Sequence, residues 1–349
     1  MPASSKYFVV RTLSAVATLV VVMVLLSGIF ISMADEQLET TVRETVSQEV
    51  EQYGADMTEE ELENFRERRE EELRSHYGLD DPAWRRVMSN AYNALTLNFG
   101  TSYMMDIGGS NYVIDIIMHR LPRTILLFTT AAVIYVILGI IIGLKAAQVA
   151  GGKLDKFLSF FGISASSMPM WWVGMIVILI FSYELGWFPS RATPFPDAEG
   201  LEFYLGVLHR MALPLGTIVF VLFGARAWAT RNILTDVLQD DYIMAARAKG
   251  VPESKVMYGH ALKTAAPPVV TSALLALLMS VGGAMITEVV FRWPGMGMLL
   301  YDAIMMNDVP VMTGVVFITT FLYIFGYLVA DLLYGVFDPR VELGSGGPK

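Results

Sequence analysis

Side chains able to do chemistry are sparse in this 349-residue chain, and most familiar arrangements of them are missing. There is no cysteine, which removes disulfides, thiolate metal sites and thiol nucleophiles. The four histidines, His76, His119, His209 and His260, are scattered and lack the spacing of metal ligands. A phosphate-cradling loop needs Gly, four residues, then Gly-Lys-Ser/Thr. The nearest string, Gly152-Lys153-Leu154, lacks both the upstream glycine and the hydroxyl. His-Glu-x-x-His and Gly-x-Ser-x-Gly are absent too. We therefore expect no catalytic residue, no metal site and no cofactor held by this chain.

Two groupings remain. Glu288 stands near the end of a long apolar run, just before Trp293-Pro294-Gly295-Met296-Gly297. An acid at such a place is expensive and faces a protein interior or a wet cavity. A structural tie to the following turn is an equally good reading. The second grouping is residues 241–270, DYIMAARAKGVPESKVMYGHALKTAAPPVV, a mixed-charge, helix-prone segment between two apolar runs. Ala245, Ala246 and Ala248 give a small, smooth face that another protein's backbone can approach closely. Arg247, Lys249 and Lys255 could pair with acids on that partner. Gly250 ends the helix, Val251-Pro252 fixes a turn, and a second short helix starts over 253–263. On physics alone, a hairpin resting its lysines on anionic headgroups competes with docking.

The elements that must position these groups are membrane spans. Hydrophobic residues make up 54% of the chain, which excludes an ordinary soluble domain. Six apolar runs reach the roughly 20 residues that a bilayer core requires. They are about 13–33, 124–144, 157–185, 211–229, 269–291 and 311–334. The first is too long for a secretory signal core, no convincing small-x-small cleavage site follows it before the acidic stretch, and we expect it to stay as a span. With a cytoplasmic N-terminus, the inner loops and adjoining span ends hold Lys145, Lys153, Lys156, Arg226, Arg231, Arg247, Lys249, Lys255 and Lys263. The short outer loops hold only Arg191, Arg210 and Arg292, so both termini are expected inside.

Residues 35–81 form a glutamate-rich insert that more than accounts for the net charge of −9. Thr58-x-x-Glu61 reads as a capping box opening a helix to about Ser75. Expected pairs along it are Glu63–Arg66, Arg66–Glu70, Arg68–Glu72 and Glu70–Arg74. A solvated external helix is the plain expectation, and a dock for an extracellular partner the sharper one. Residues 113–120 look amphipathic and are expected along the outer interface, before a span entering at Leu121-Pro122. Pro169 should bend the third span beside Met168, Met170, Trp171 and Trp172, which would suit an apolar gate. Packed core or lipid contact is the plainer expectation for each of these bulky side chains. Asp331 reads as a helix-end anchor, and Gly139-x-x-x-Gly143 as a close-packing site.

Residues 241–263 resemble the EAA loop of the permeases of binding-protein-dependent ABC importers, in their dipeptide, oligopeptide and nickel branch. Ala245, Ala246, Gly250 and Leu262 match the general pattern, whereas Met244 stands for its Glu, His260 for its Ile and Lys263 for its Pro. DYxxxARAKG followed by HAL is similar to the peptide branch itself. YGLDDP (77–82), LNFGTSY (97–103), RLPRTILL (120–127), SSMPMWWVGM (166–175), EVVFRWPGMGMLL (288–300) and DLLYGVFDPRV (331–341) resemble further segments of that branch. Only the acidic insert has no counterpart.

The resemblance implies an all-α polytopic membrane protein with six transmembrane helices and the type I ABC importer permease fold. Its parts would be the N-terminus and first span (1–34), the external insert and interfacial segment (35–120), a five-helix core (121–337) with a coupling loop at 236–266, and a cytoplasmic tail (338–349). Asp241, Tyr242, Ala245, Ala246, Arg247, Ala248, Lys249, Gly250 and His260 would form the ATPase-coupling loop. Met168, Pro169, Trp171, Trp172 and Glu288 are candidates for the path or gate. Trp293, Pro294, Gly295 and Gly297 would make the external signature turn. Implied partners are a second homologous permease, two cytoplasmic ATPases carrying ATP and Mg, an extracellular solute-binding protein and the lipid bilayer of the cell membrane, with no nucleic acid. Di- and oligopeptides would be the cargo. A secondary transporter or channel working without an ATPase is the alternative, but Glu288 and Asp331 form no matching pair of intramembrane acids for it.

Overall fold

The computed structural model describes residues 3–53, 57–195 and 199–337, and every regular element among them is a helix. In chain order these are α1 (Ala3–Tyr53), α2 (Glu59–His76), α3 (Ala83–Leu95), α4 (Val113–Gln148), α5 (Lys153–Ser166) and α6 (Met170–Glu184). There follow α7 (Gly200–Leu238), α8 (Asp241–Ala248), α9 (Glu253–Met279), α10 (Met285–Phe291), α11 (Met296–Met305) and α12 (Val309–Phe337). Five of them, α1, α4, α7, α9 and α12, are long and apolar enough to cross a membrane. A sixth crossing is possible only as the pair α5 and α6, which meet at 98°. The fold is thus that of an all-α polytopic membrane protein, and the bend expected at Pro169 is where the pair breaks.

The described residues form two compact units: one from the chain up to Ala15, Met118–Tyr301 and Thr319 onward, the other from Val16–Ile117 and Asp302–Ile318. In the first unit, glycines set how closely helices meet. A Cβ on Gly139 would lie 2.5 Å from Arg226 Cγ, and one on Gly143 would lie 2.5 Å from the Ala227 carbonyl. On α5 a Cβ at Gly162 would come within 2.8 Å of the Gly224 carbonyl. Gly139-x-x-x-Gly143 therefore does bring α4 against α7, as small residues do between spans. Asp331 on α12 pairs with Arg11 at 3.4 Å.

Several expected boundaries move. Residues 113–120 are not a separate interfacial helix but the first turns of α4, which continues through Pro122. Val113, Ile116 and Ile117 are fully buried there, so packing rather than the membrane surface holds them. Pro214, Pro267 and Pro268 likewise lie inside helices. The second short helix expected over 253–263 is the opening of α9, wound as a π turn over Val256–Ala261. The apolar run 269–291 is no single span, because α9 stops at Met279 and Gly283 takes φ 66 and ψ −167. That backbone region is essentially closed to other residues. Glu288 therefore sits in the short α10. The expected parting lines at 34/35 and 120/121 fall within α1 and α4. The tail 338–349, including the end of the DLLYGVFDPRV segment, lies outside the described residues.

In the second unit, α1 runs past its apolar stretch without a break. Its 51 residues rise about 76 Å at 1.5 Å per residue. Val42 and Val46 on this extension pack with Leu73 of α2 and Leu79 beyond it. The capping box at Thr58 is formed, with Glu61 N donating to Thr58 Oγ1 at 3.4 Å and Thr58 N donating to Glu61 Oε2 at 2.9 Å. The backbone N–H of Thr58 and the Thr58 hydroxyl donate to the Glu61 carboxylate and hold it below its usual pKa. None of the four ion pairs expected along α2 closes. Instead Arg69 reaches Glu49 on α1 through Nε at 2.7 Å and Nη2 at 2.9 Å, and Arg74 lies 3.6 Å from Glu39. The insert is a packed hairpin on α1, not a helix solvated all round. The reason is geometric: α2 lies close enough to α1 for arginine to reach acids already fixed on another helix. In the same unit Asp308 is fully buried and caps α12, accepting from Val311 N at 3.4 Å and from the Ser102 hydroxyl.

Candidate functional site

The loop between α7 and α9 is a folded hairpin. Ile243 on α8 is fully buried among Leu234, Leu238, Val256, Met257 and Ala261, and pins α8 against the ends of its neighbours. Its opposite side carries Tyr242, Met244, Ala245, Ala248 and Lys249, all exposed. Ala246 turns inward against the Ile243 cluster, so the smooth exposed face expected of three alanines is made by Ala245 and Ala248. Arg247 differs from expectation as well. Its Nη2 donates to Glu253 Oε1 at 2.7 Å and its Nε to Glu253 Oε2 at 3.1 Å, closing the hairpin on itself. That carboxylate holds the guanidinium above its ordinary pKa.

Lys249 and Lys255 remain exposed and make no ion pair among the described residues. Gly250 has φ +73, the left-handed value that ends a helix cheaply only at glycine. Tyr242 donates its hydroxyl to Thr264 Oγ1 at 2.9 Å, and Asp241 opens the helix. His260 is half-buried in the π turn of α9. The result is a short helix held rigidly from behind, with a small apolar face outward and two cations at its edge.

Glu288 is fully buried, and the following turn engages its carboxylate. Oε2 accepts from Gly297 N at 2.7 Å and from Met298 N at 3.0 Å. Oε1 accepts from the Thr124 hydroxyl at 2.8 Å, and that oxygen in turn accepts from Met296 N at 2.7 Å. Those amides open α11, so Glu288 caps it from another helix, where orphan N–H groups and the helix dipole favour an anion. Gly295 is required by contact: a Cβ there would lie 2.5 Å from both Glu288 oxygens and 2.4 Å from Thr124 Oγ1. At Gly297 a Cβ would lie 2.4 Å from Met285 Cα. Trp293 is fully buried and donates Nε1–H to the Arg123 carbonyl at 3.0 Å, while Pro294 is buried beside it. Gly174 of the WWVG segment faces Phe291, where a Cβ would meet Cε2 at 2.8 Å.

Met168, Pro169, Trp171 and Trp172 are exposed at the corner between α5 and α6. Every hydrogen bond of the Glu288 carboxylate goes to Thr124 or the turn, and none to Met168, Pro169, Trp171 or Trp172. Among the described residues no three His, Asp or Glu side chains could hold a metal ion together.

The sequence reading missed three groups. Asp155 is 6% exposed at its side chain and takes Arg231 Nη2 at 2.7 Å, with Arg231 Nε 2.7 Å from its other oxygen. Asp155 also accepts from Gly151 N at 2.7 Å. Arg226, counted only as an inner charge, bridges α7 to α9 through Nη1 to Ser272 Oγ and Nη2 to the Val269 carbonyl, both at 2.8 Å. Thr124 is the third. A lone acid just after a Gly-Gly turn, as at Asp155, was the only local signal, and the partners lie far along the chain.

Residues 136–343 match the family described as binding-protein-dependent transport system inner membrane component. The chain is 33% identical over 272 residues to the oligopeptide transport system permease protein AppB of Bacillus subtilis (strain 168), covering 78% of this chain and 84% of that protein. A putative peptide transport system permease protein of Brucella abortus (strain 2308) is 33% identical over 273 residues, with the same coverage. The glutathione transport system permease protein GsiC of Escherichia coli (strain K12) is 33% identical over 270 residues, 77% of this chain and 83% of that protein.

Proposed function

The chain belongs to the family of inner membrane components of binding-protein-dependent transport systems, a multi-pass ABC importer permease, and from that premise we propose how it works. Its cargo is di- or oligopeptides, as the names of its relatives suggest for those proteins. It pairs with a second homologous permease to enclose the path. ATP and Mg are held, and ATP hydrolysed, by two separate cytoplasmic subunits. An extracellular binding protein delivers the peptide. Both termini lie in the cytoplasm, which places α8 on the same side as the ATPases.

The observation that carries this reading is the hairpin at 241–261. A helix anchored by Ile243 and closed by Arg247–Glu253 leaves Ala245 and Ala248 exposed on its outward side. Such a face accepts the surface of another subunit, and its rigid backing passes a push into α7 and α9. When the ATPases close on ATP, the hairpins move and the path opens toward the binding protein; hydrolysis returns it. Glu288 and the 293–297 turn keep the far end of this assembly fixed. The exposed Met168, Pro169, Trp171 and Trp172 corner offers soft, apolar contact to a variable peptide. Specificity then resides mainly in the binding protein.

The test is purification of the tagged chain from its native membrane, identification of accompanying chains, and uptake of labelled peptides in vesicles loaded with ATP. A second permease and a nucleotide-binding subunit should co-purify, and uptake should stop without ATP. Uptake driven by an ion gradient with no ATPase present would overturn the proposal.

A further inference from the structure

The helix α3 is built the wrong way round for water. Trp84, Met88, Tyr92 and Leu95 recur at i, i+4, i+8 and i+11, which places them on one face. Trp84 and Tyr92 are each 67% exposed and Met88 is 52% exposed. What α3 buries are its small residues, Ala91 and Ala94. A soluble helix of this composition would turn the tryptophan inward and leave alanine outside. One exposed apolar side chain needs no explanation, but a continuous row of four on one helix does.

The position of α3 says what covers that row. Arg86 is ion-paired to Asp35, two residues beyond Met33, where the apolar stretch of α1 ends. Asn90 and Asn93 line a cavity of about 320 Å³ together with Ser27, Phe30 and Ala34 of α1. The helix therefore runs beside the last apolar turns of a membrane-crossing helix, at the level where hydrocarbon gives way to headgroups. At the same level α1 is exposed and apolar on another of its faces, at Leu25 and Ile29. Tryptophan and tyrosine concentrate at that depth because their rings are apolar and their N–H and O–H groups reach polar partners.

We propose that α3 is an interfacial helix, its Trp84, Met88, Tyr92 and Leu95 face lying in the lipid headgroup layer beside α1. This surface is independent of the transport cycle and requires only that α1 cross the bilayer. The role assigned from the sequence to residues 113–120 thus belongs to a different helix. By this contact α3 fixes the level at which the α1–α2 hairpin leaves the membrane.

The chain has no cysteine, so single labels need no background removal. A nitroxide would be placed at Met88→Cys, with Ser89→Cys as the neighbouring control off the row and Leu25→Cys as the control on α1. Trp84→Cys gives an independent reading should the Met88 variant fail to assemble. The full-length chain, with the subunits that accompany it, would be reconstituted in lipid nanodiscs, and collision with oxygen compared with collision with a water-soluble nickel chelate. The labels at Met88 and Trp84 should favour oxygen several-fold over the label at Ser89 and match the one at Leu25. Chelate access at Met88 equal to that at Ser89 would put the row in water and overturn the proposal. Shielding of Met88 from both reagents would mean that a protein subunit covers the row, and would overturn it equally.

Discussion

Replacing Thr124 with valine removes one oxygen and leaves the shape of the side chain. That oxygen does two things in a fully buried place: it donates to Glu288 Oε1 at 2.8 Å and accepts from Met296 N at 2.7 Å. A hydrogen bond to a charged group contributes about 1.5–3 kcal/mol and a neutral one about 0.5–1.5 kcal/mol. Thr124→Val should therefore lower the unfolding free energy by about 2–4 kcal/mol. Thr124→Ser keeps the hydroxyl and loses a methyl, which costs about 1 kcal/mol. The two should be compared by unfolding in mixed micelles titrated with SDS, each also in a Glu288→Gln background. If the hydroxyl acts through the carboxylate, the double-mutant cycle should show coupling of about 0.5–3 kcal/mol. A valine variant no weaker than the serine variant, or effects that simply add, would refute the capping network.

Ala245→Trp should abolish peptide uptake while the protein stays in the membrane at normal level, because it roughens the exposed face of α8; unchanged uptake would remove the docking role. It is a cleaner probe than Gly250→Arg, whose φ of +73 strains any side chain as well. Asp155→Asn leaves Arg231 without its anion in a largely buried site and should destabilise by about 3–5 kcal/mol, read as faster loss of folded protein on heating. Arg226→Met should uncouple ATP hydrolysis from uptake by releasing α7 from α9, and Arg226→Lys should not restore it, since a single ammonium cannot reproduce a planar fork that reaches two acceptors; restoration by lysine would mean that charge alone matters.

The spans were legible in sequence because apolar runs of membrane length admit few other readings. Where helices break was less so. Pro169 marks a sharp corner, whereas Pro122, Pro214, Pro267 and Pro268 are absorbed within helices. A proline removes one hydrogen bond, and neighbours decide whether the chain turns there. Gly283 broke the fifth run by a backbone conformation that local hydropathy does not register. The capping box at Thr58 was readable since both halves lie three residues apart. Thr124 was not, because its partner Glu288 is 164 residues away. The same applies to Arg231 with Asp155 and to Arg69 with Glu49, where local spacing had pointed to pairs within α2. On α8 the composition gave the small face, but only the buried Ile243 fixes which alanines belong to it.

The length of α1 has a practical consequence for seeing the complex. From Met33 to Tyr53 the helix continues for about 30 Å at 1.5 Å per residue, stiffened by α2 through Leu73 and the Arg69–Glu49 pair. A double-thickness rod of that size rising from a detergent belt is visible in electron micrographs at resolutions too low to separate the spans. With the second permease of the proposed assembly beside it, the rod would be the landmark by which this chain's half of a particle image is recognised.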